Sequence, residues 1–458
     1  MAILGAALNS GFLIAGGLTI NVGGPGGALV AFALSILMVY AVITSLMEVA
    51  ALMPADVPYY MYGAKILGRA VGAALAWNFW LSWIAAVAYE VIASGIIIQF
   101  WLPHVHSSVW CLLALVMCAC IVAFDAKYYS AAETGFTMLK LCAIIAAIVA
   151  GAAVAAGAVG GHRYGFENWQ TQDGPFFGGI GGIICASVLA NFATQGAEVA
   201  AAMATKSRNP KTRRYIPWVV CGVLAALFIT SIFVTGLILP QNSILASGDV
   251  AEAADASVFT VIFQKAGLKP ATHIMNVVIL LSVLFDCCTC LYISSTVLQD
   301  LAARSLAPSF LCSTRGQAIS APSLIVCCAL ALVMWGLSYI HDGTALMIIA
   351  GAIGVAGFIT WGSIAIMHCI VRWSKAFREM RQEQKASSDG TAYLAMAFPL
   401  SPAYCLLYEL TVVIGLIYIA FWANFDVGIF LFATVQFCIF AMLLVVAAIC
   451  QRYGLCLC

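Results

Sequence analysis

Five ionisable residues lie inside long apolar runs of this chain: Glu48, Glu90, Lys140, Glu198 and Asp286. A charged side chain at the centre of a bilayer costs at least ~2.5 kcal/mol, so its presence there points to a function. A carboxylate at depth can hold an ammonium group or a proton, and burial favours the neutral form of a lysine, which can then exchange a proton. Glu48 is near the end of its run, and we predict that it extends to the membrane surface.

Asp286 lies in the middle of an apolar run, in Phe285-Asp286-Cys287-Cys288-Thr289-Cys290. An unpaired buried carboxylate is costly, so a cation is expected beside it. Three alternatives remain open, namely an ion pair with Lys140, a cationic group on a lysine- or arginine-like ligand, and a protonated, neutral Asp286. The Cys287-x-x-Cys290 spacing also fits a metal or redox site, but no histidine accompanies it and small buried cysteines explain it better. We predict no metal and no cofactor.

The composition requires a membrane protein. Of the 458 residues, 64% are hydrophobic and 9% are charged, whereas a soluble domain has about 25% charged residues. At ~20 apolar residues per span, the length accommodates about a dozen helices, so we predict an all-α polytopic membrane protein with about twelve transmembrane helices. The predicted spans are 3–23, 28–52, 71–100, 109–124, 134–159, 177–204, 217–239, 271–301, 322–339, 344–370, 404–423 and 427–450.

The basic residues divide unequally between the two sides of these spans. Of the 20 lysines and arginines, only Arg163, Lys265 and Lys269 lie in the loops of one side, and Lys140 lies within a span. All others lie on the opposite side, which the positive-inside rule makes cytoplasmic. This bias predicts an even number of spans with both termini in the cytoplasm.

Two spans are interrupted near their middle, the first at Asn9-Ser10-Gly11 and the sixth at Thr194-Gln195-Gly196. Broken helices at corresponding positions of two halves indicate inverted five-helix repeats with a ligand site at the midplane. The freed N–H groups of such a break bind a carboxylate, and the freed carbonyls bind an ammonium group. Alternatively, the glycines only allow close helix packing.

Several short segments, read in chain order, resemble those of one transporter family. They are Ser10-Gly11-Phe12-Leu13, Gly23-Gly24-Pro25-Gly26-Gly27, Glu48-Val49-Ala50-Ala51, Ala76-Trp77-Asn78-Phe79-Trp80, Phe192 to Glu198 and Tyr292-Ile293-Ser294-Ser295. In this order they resemble the amino acid permeases of the amino acid–polyamine–organocation superfamily, in particular the fungal (yeast-type) amino acid transporter group.

The resemblance implies a five-plus-five inverted repeat with broken helices 1 and 6 and two accessory helices. Residues 1–160 and 161–370 would form the two repeats, 371–403 a basic cytoplasmic loop, and 404–458 the accessory helices and a short tail. It implies proton-coupled uptake of an amino acid by alternating access, in which Lys140 replaces the cation that ties span 1 to span 8 in sodium-coupled relatives. The expected substrate-binding residues are Ser10, Gly11, Phe12, Glu90, Thr194, Gln195, Gly196 and Asp286, and the expected coupling residues are Lys140, Glu198, Ser294 and Ser295.

The expected partners are an amino acid, protons and the lipid bilayer, but no nucleic acid. Among amino acids, a cationic one is favoured. The plasma membrane is the expected location. Asn9 replaces a glycine of the family pattern, Thr194-Gln195 replace a Phe-Ser pair, and Asp286 replaces a small residue. These departures leave open a transport-deficient amino acid sensor with the same fold. A channel or an intramembrane enzyme is disfavoured, because no carbonyl filter, His-Glu-x-x-His or paired intramembrane aspartate is present.

Overall fold

A computed structural model describes residues 5, 7–53, 57–124, 126–170, 174–205, 210–239, 257–312, 319–339, 342–375, 377–379, 382, 393–423 and 427–453. Throughout these residues every regular element is a helix. The α-helices are α1 (Gly11–Ala51), α2 (Tyr62–Ile66), α3 (Arg69–Gln99), α4 (Ser107–Phe124), α5 (Ala126–Ala155), α6 (Gly179–Ala193), α7 (Ala197–Thr205), α8 (Pro210–Leu224), α9 (Thr230–Ile238), α10 (Val258–Lys265), α11 (Lys269–Ala303), α12 (Ala321–Trp335), α13 (Asp342–Trp373), α14 (Leu400–Tyr418) and α15 (Val427–Tyr453).

Shorter helical turns join several of these helices. Two are π-helical, Ala225–Ile229 and Ile419–Ala423, and the others are the 3₁₀ turns Tyr59–Met61, Glu167–Trp169, Ser309–Leu311 and Gly336–Tyr339. Within the described ranges, nine helical stretches are long and apolar enough to cross a membrane, and Ser107–Ala123 and Ala321–Trp335 are shorter apolar helices. The predicted all-α polytopic fold is confirmed. The count of twelve spans, the domain limits and the inverted repeat stay predictions.

The first two predicted spans follow each other within α1, and a sharp change of direction separates them at Gly24. This glycine has a φ of 72° and is followed by Pro25. A side chain at position 24 would place its Cβ 2.6 Å from the carbonyl oxygen of Pro175, and the Gly26 amide donates to that oxygen at 2.8 Å. Glycine is required here because only it combines a positive φ with such a close approach of two backbones.

Both predicted helix interruptions are present. Gly5 and Ala7 are helical, helical structure lapses from Leu8 to Ser10, and α1 begins at Gly11. In the sixth span α6 ends at Ala193 and α7 begins at Ala197, with Gly196 between them at a φ of 95°. The interruptions leave backbone amides and carbonyls outside the helical hydrogen-bond pattern, in the interior of the protein.

Glu48 does not reach the membrane surface, so that prediction is wrong. Its side chain is 1% exposed and forms an ion pair with Arg372, and His368 Nε2 lies 3.1 Å from Glu48 Oε2. The same oxygen accepts the Ala395 amide at 2.8 Å. The Arg372 guanidinium and the amide offset the cost of burying the carboxylate, and they fasten the segment before α14 to the ends of α1 and α13.

Candidate functional site

A cavity of about 270 Å³ lies between the two helix interruptions and helices α3, α5 and α11. Four of the predicted site residues line it: Glu90, Lys140, Gln195 and Asp286. They come from four different helical segments, so packing alone brings them together. The cavity is near the lower end of the ~300–1,000 Å³ typical of small-molecule sites, and it suits a compact ligand.

Lys140 and Asp286 form an ion pair on one wall of this cavity. Lys140 Nζ donates to Asp286 Oδ1, and the two side chains are 6% and 14% exposed. The other carboxylate oxygen of Asp286 accepts the backbone amide of Ser10 at the span-1 interruption. Of the three alternatives for Asp286, the structure therefore shows the internal ion pair. The pair joins α5 and α11 to the start of α1.

Glu90 is the second acid of the cavity, and its two carboxylate oxygens differ. Oε1 accepts the Ser10 hydroxyl at 2.7 Å, whereas Oε2 is buried and accepts no hydrogen bond from the described residues. Because Lys140 and Asp286 offset each other, Glu90 leaves one negative charge in excess when all three groups are ionised. The site is therefore electrostatically suited to a cation or a proton.

The two interruptions contact each other through side chains that the family pattern lacks. Asn9 Nδ2 donates to the Gln195 carbonyl at 3.2 Å, and Gln195 Nε2 donates to the Ile353 carbonyl of α13 at 2.7 Å. Asn9 Oδ1 is buried and accepts no hydrogen bond from the described part of the chain. The hydrogen bond between Asn9 and Gln195 links the two interruptions directly.

Several predicted residues lie outside the cavity. Phe12 packs its ring on Phe228, with centroids 3.8 Å apart, in an aromatic cluster with Phe32 and Phe259. Phe12 does not line this cavity, and its role in binding a ligand stays a prediction. The Thr194 hydroxyl lies 2.8 Å from that of Ser35 and also donates to the Ala190 carbonyl. It ties α6 to α1 rather than facing the cavity.

The remaining predicted residues do not line the cavity. Glu198 accepts the indole N–H of Trp361 at 2.9 Å and does not line the cavity. Ser294 and Ser295 are fully buried about 12 Å further along α11 than Asp286, at 1.5 Å per residue. They are therefore not in contact with the ion pair. Gly11 and Gly196 lie at the two interruptions, and their role in binding a substrate stays a prediction.

The apolar walls of the cavity were not predicted from the sequence. Phe136 of α5 stacks on Phe285 of α11 with ring centroids 4.2 Å apart, and Trp83 of α3 also lines the cavity. Aromatic faces favour a cationic group or a methylene chain. Phe136 is four positions before Lys140, Phe285 is next to Asp286, and Trp83 is seven positions before Glu90, and many core residues share such spacings.

A second cavity, of about 670 Å³, adjoins the first and shares Val199 and Met203 with it. Its lining includes Arg213, on the Lys/Arg-rich side of the protein, and Tyr60. The Tyr60 hydroxyl donates to Asp300 at 3.1 Å, and Arg304 bonds the same carboxylate oxygen at 2.7 Å. Burial first, and then the charge of Asp300, raises the pKa of Tyr60, so this phenol stays a donor at neutral pH.

Substitution of Gly11 by valine is expected to abolish transport. A Cβ at position 11 would lie 2.9 Å from Asn9 Oδ1 and 3.0 Å from Phe192 Cζ, and valine adds two further methyl groups. The clash displaces Asn9 from Gln195 and closes the cavity. Uptake is measured relative to the amount of protein in the membrane, with Gly222→Val as the matched control, because a Cβ at 222 meets nothing within 4 Å. Normal uptake kinetics in Gly11→Val would contradict the assignment.

Comparison with known families decides the class of this protein. The family model for amino acid permeases matches residues 1–454. The chain belongs to the amino acid permease family. It is 31% identical to the lysine-specific permease of Lactococcus lactis over 91% of this chain and 81% of that protein. It is 30% identical to the lysine-specific permease of Escherichia coli, over 92% and 85%.

Fungal permeases are also similar to this chain. A general amino-acid permease of Candida albicans is 28% identical over 82% of this chain and 64% of that protein. The bacterial permeases match over more of their length, so the particular resemblance to the fungal group is not confirmed. Membership of this family makes the chain an integral membrane protein of a transporter class and not an enzyme.

Proposed function

We propose that the protein is a proton-coupled amino acid permease that works by alternating access, in the plasma membrane and with both termini in the cytoplasm. The observation that carries this proposal is the Lys140–Asp286 ion pair bound to the Ser10 amide. A protonated Lys140 keeps Asp286 charged and fixed on the span-1 interruption. Loss of that proton removes the cation from Asp286 and weakens the link between α1, α5 and α11. Protonation and the position of span 1 are thereby coupled.

The two cavities support alternating access. The ligand cavity shares Val199 and Met203 with the larger cavity, whose lining includes Arg213 on the Lys/Arg-rich side. On the other face of the span-1 interruption, Phe12 and Phe228 are stacked, and the Ser257 hydroxyl donates to the Leu13 carbonyl at 3.0 Å. This arrangement corresponds to a state that opens towards the cytoplasm. Transport requires a second state in which the aromatic cluster separates and the inner cavity closes.

A cationic amino acid is the substrate that we propose. The buried Glu90 oxygen that accepts no hydrogen bond from the described residues supports it, and two relatives are named lysine-specific permeases. The α-ammonium or side-chain ammonium group would lie against Glu90, with the methylene chain on Phe136 and Phe285.

Uptake by purified protein in proteoliposomes tests this function. A pH gradient, acid outside, should drive accumulation of radiolabelled lysine above equilibration, and a protonophore should abolish it. Leucine provides the matched neutral substrate and should accumulate less. Equilibration of lysine without any response to the gradient would contradict proton coupling, and a complete absence of amino acid uptake would contradict the permease function.

A further inference from the structure

The larger cavity has an arginine in its lining that no described residue neutralises. Arg213, near the start of α8, is half-buried and forms neither an ion pair nor a hydrogen bond with another described residue. Asp300, the other charged residue of the described lining, is paired with Arg304, whose Nε lies 2.7 Å from Asp300 Oδ2. A guanidinium group stays protonated in proteins. The lining therefore carries one positive charge in excess.

The rest of this lining suits an organic molecule rather than a bare inorganic ion. Four of the lining residues are tyrosines and three are methionines. Aromatic faces and thioethers pack well against apolar and aromatic groups. The volume of about 670 Å³ also lies within the ~300–1,000 Å³ that is typical of small-molecule sites. The cavity thus accommodates a ligand with an apolar or aromatic body and one charged group.

The charges of the lining favour a carboxylate as that charged group. A guanidinium group donates two parallel hydrogen bonds to a carboxylate, which gives the pair both strength and a fixed geometry. An ammonium group on the same ligand has no such partner, because the only carboxylate of the described lining, Asp300, is already neutralised by Arg304 and accepts the Tyr60 hydroxyl. Arg213 would also repel it. The larger cavity is therefore suited to a carboxylate without an ammonium group.

A ligand in this cavity would contact the helix that follows the span-6 interruption. Val199 and Met203, which both cavities share, belong to α7. Alternating access, as proposed above, requires the larger cavity to close. A ligand that fits only the open cavity stabilises the open state, because it gains no contacts in the closed one. Occupation of the larger cavity should therefore slow transport.

We propose that the larger cavity is an inhibitory site for small organic monocarboxylates with an apolar or aromatic body, and that Arg213 binds their carboxylate. The ligand enters from the Lys/Arg-rich side and leaves the ligand cavity at the interruptions unoccupied. It holds the protein in the conformation described here. The inhibitory effect rests on the proposed permease function, whereas binding of the carboxylate does not.

Two compounds that differ in charge test the site in the unaltered protein. 3-Phenylpropanoate and 3-phenylpropan-1-ol have the same aromatic body, and equilibrium dialysis of each radiolabelled compound against purified protein gives both affinities. We expect the carboxylate to bind at least tenfold more tightly than the alcohol. Equal affinities would overturn the proposal. Displacement of 3-phenylpropanoate by lysine without limit, which indicates one shared site, would also overturn it.

Substitution of Arg213 by glutamine should lower the affinity for 3-phenylpropanoate at least tenfold and leave that for the alcohol unchanged. Arg214→Gln is the matched control, because Arg214 is the next residue of the same helix, is exposed, and does not line the cavity. Unchanged affinity in a folded Arg213→Gln protein, or equal losses in both variants, would overturn the proposal. If Arg213→Gln does not fold, as judged by its melting in detergent, the two compounds on the unaltered protein still decide.

Lysine exchange separates this proposal from the proposed function. Lysine-loaded proteoliposomes in a medium of the same pH are used, because a weak acid would dissipate a pH gradient. 3-Phenylpropanoate should lower the maximal rate of exchange, and Arg213→Gln should resist it. A raised KM with an unchanged maximal rate would place the compound in the ligand cavity and overturn the proposal. Lysine exchange without any 3-phenylpropanoate binding would retain the permease and overturn the inhibitory site. Binding that depends on Arg213, without transport of any amino acid, would retain the carboxylate site and contradict the permease.

Discussion

Replacement of Lys140 by methionine is expected to reduce gradient-driven uptake by at least 100-fold. Methionine has a similar length but cannot carry a proton, so Asp286 remains in the protein interior with only the Ser10 amide as its partner. Removal of one partner from a buried ion pair costs ~3–5 kcal/mol. The melting temperature in detergent should therefore also fall. Proteoliposome uptake with an imposed pH gradient, normalised to reconstituted protein, measures the first effect.

Two further variants distinguish coupling from stability. In Lys140→Met/Asp286→Asn the buried charge is absent, so the melting temperature should recover in part while gradient-driven uptake stays lost. Lys375→Met, at an exposed lysine near the end of α13, should change neither quantity. Gradient-driven accumulation at the normal level in the folded single variant would remove Lys140 from the coupling mechanism.

Replacement of Glu90 by glutamine should raise the KM for lysine by about 10- to 100-fold. A hydrogen bond to a charged group is worth ~1.5–3 kcal/mol, and each 1.4 kcal/mol corresponds to a factor of ten. Glutamine keeps an oxygen for the Ser10 hydroxyl but loses the negative charge that an ammonium group would neutralise. Initial rates over a range of lysine concentrations measure KM.

A buried acid outside the cavity provides the matched control for Glu90. Glu409 of α14 is 9% exposed, lies against Gly362 and Cys405, and lines neither of the two cavities. Glu409→Gln should leave the KM for lysine unchanged. If Glu90→Gln had a normal KM, or if both variants raised it equally, the ammonium group would not be bound at Glu90.

Composition and local residue patterns are enough to predict the class of fold and the places where the helices are interrupted. A chain with 64% hydrophobic and 9% charged residues has to bury its surface in lipid, and satisfied backbone hydrogen bonds then require helices. Asn9-Ser10-Gly11 and Thr194-Gln195-Gly196 were identified as interruptions because small and polar residues break an otherwise continuous apolar run. Glu90, Lys140 and Asp286 were identified because a charge in such a run is costly. All of these are local properties of the chain.

Which of these groups meet depends on the packing of the helices. Lys140 and Asp286 are 146 positions apart, and the Ser10 amide and Asp286 are 276 apart, so their contact depends on how α1, α5 and α11 pack. The same packing pairs Glu48 with Arg372 and turns Phe12 away from the cavity towards Phe228. Hydropathy shows that a charge is buried, but the partner that neutralises it is set by distances between helices. Those distances leave Asp286 satisfied within the protein and one oxygen of Glu90 facing the ligand cavity.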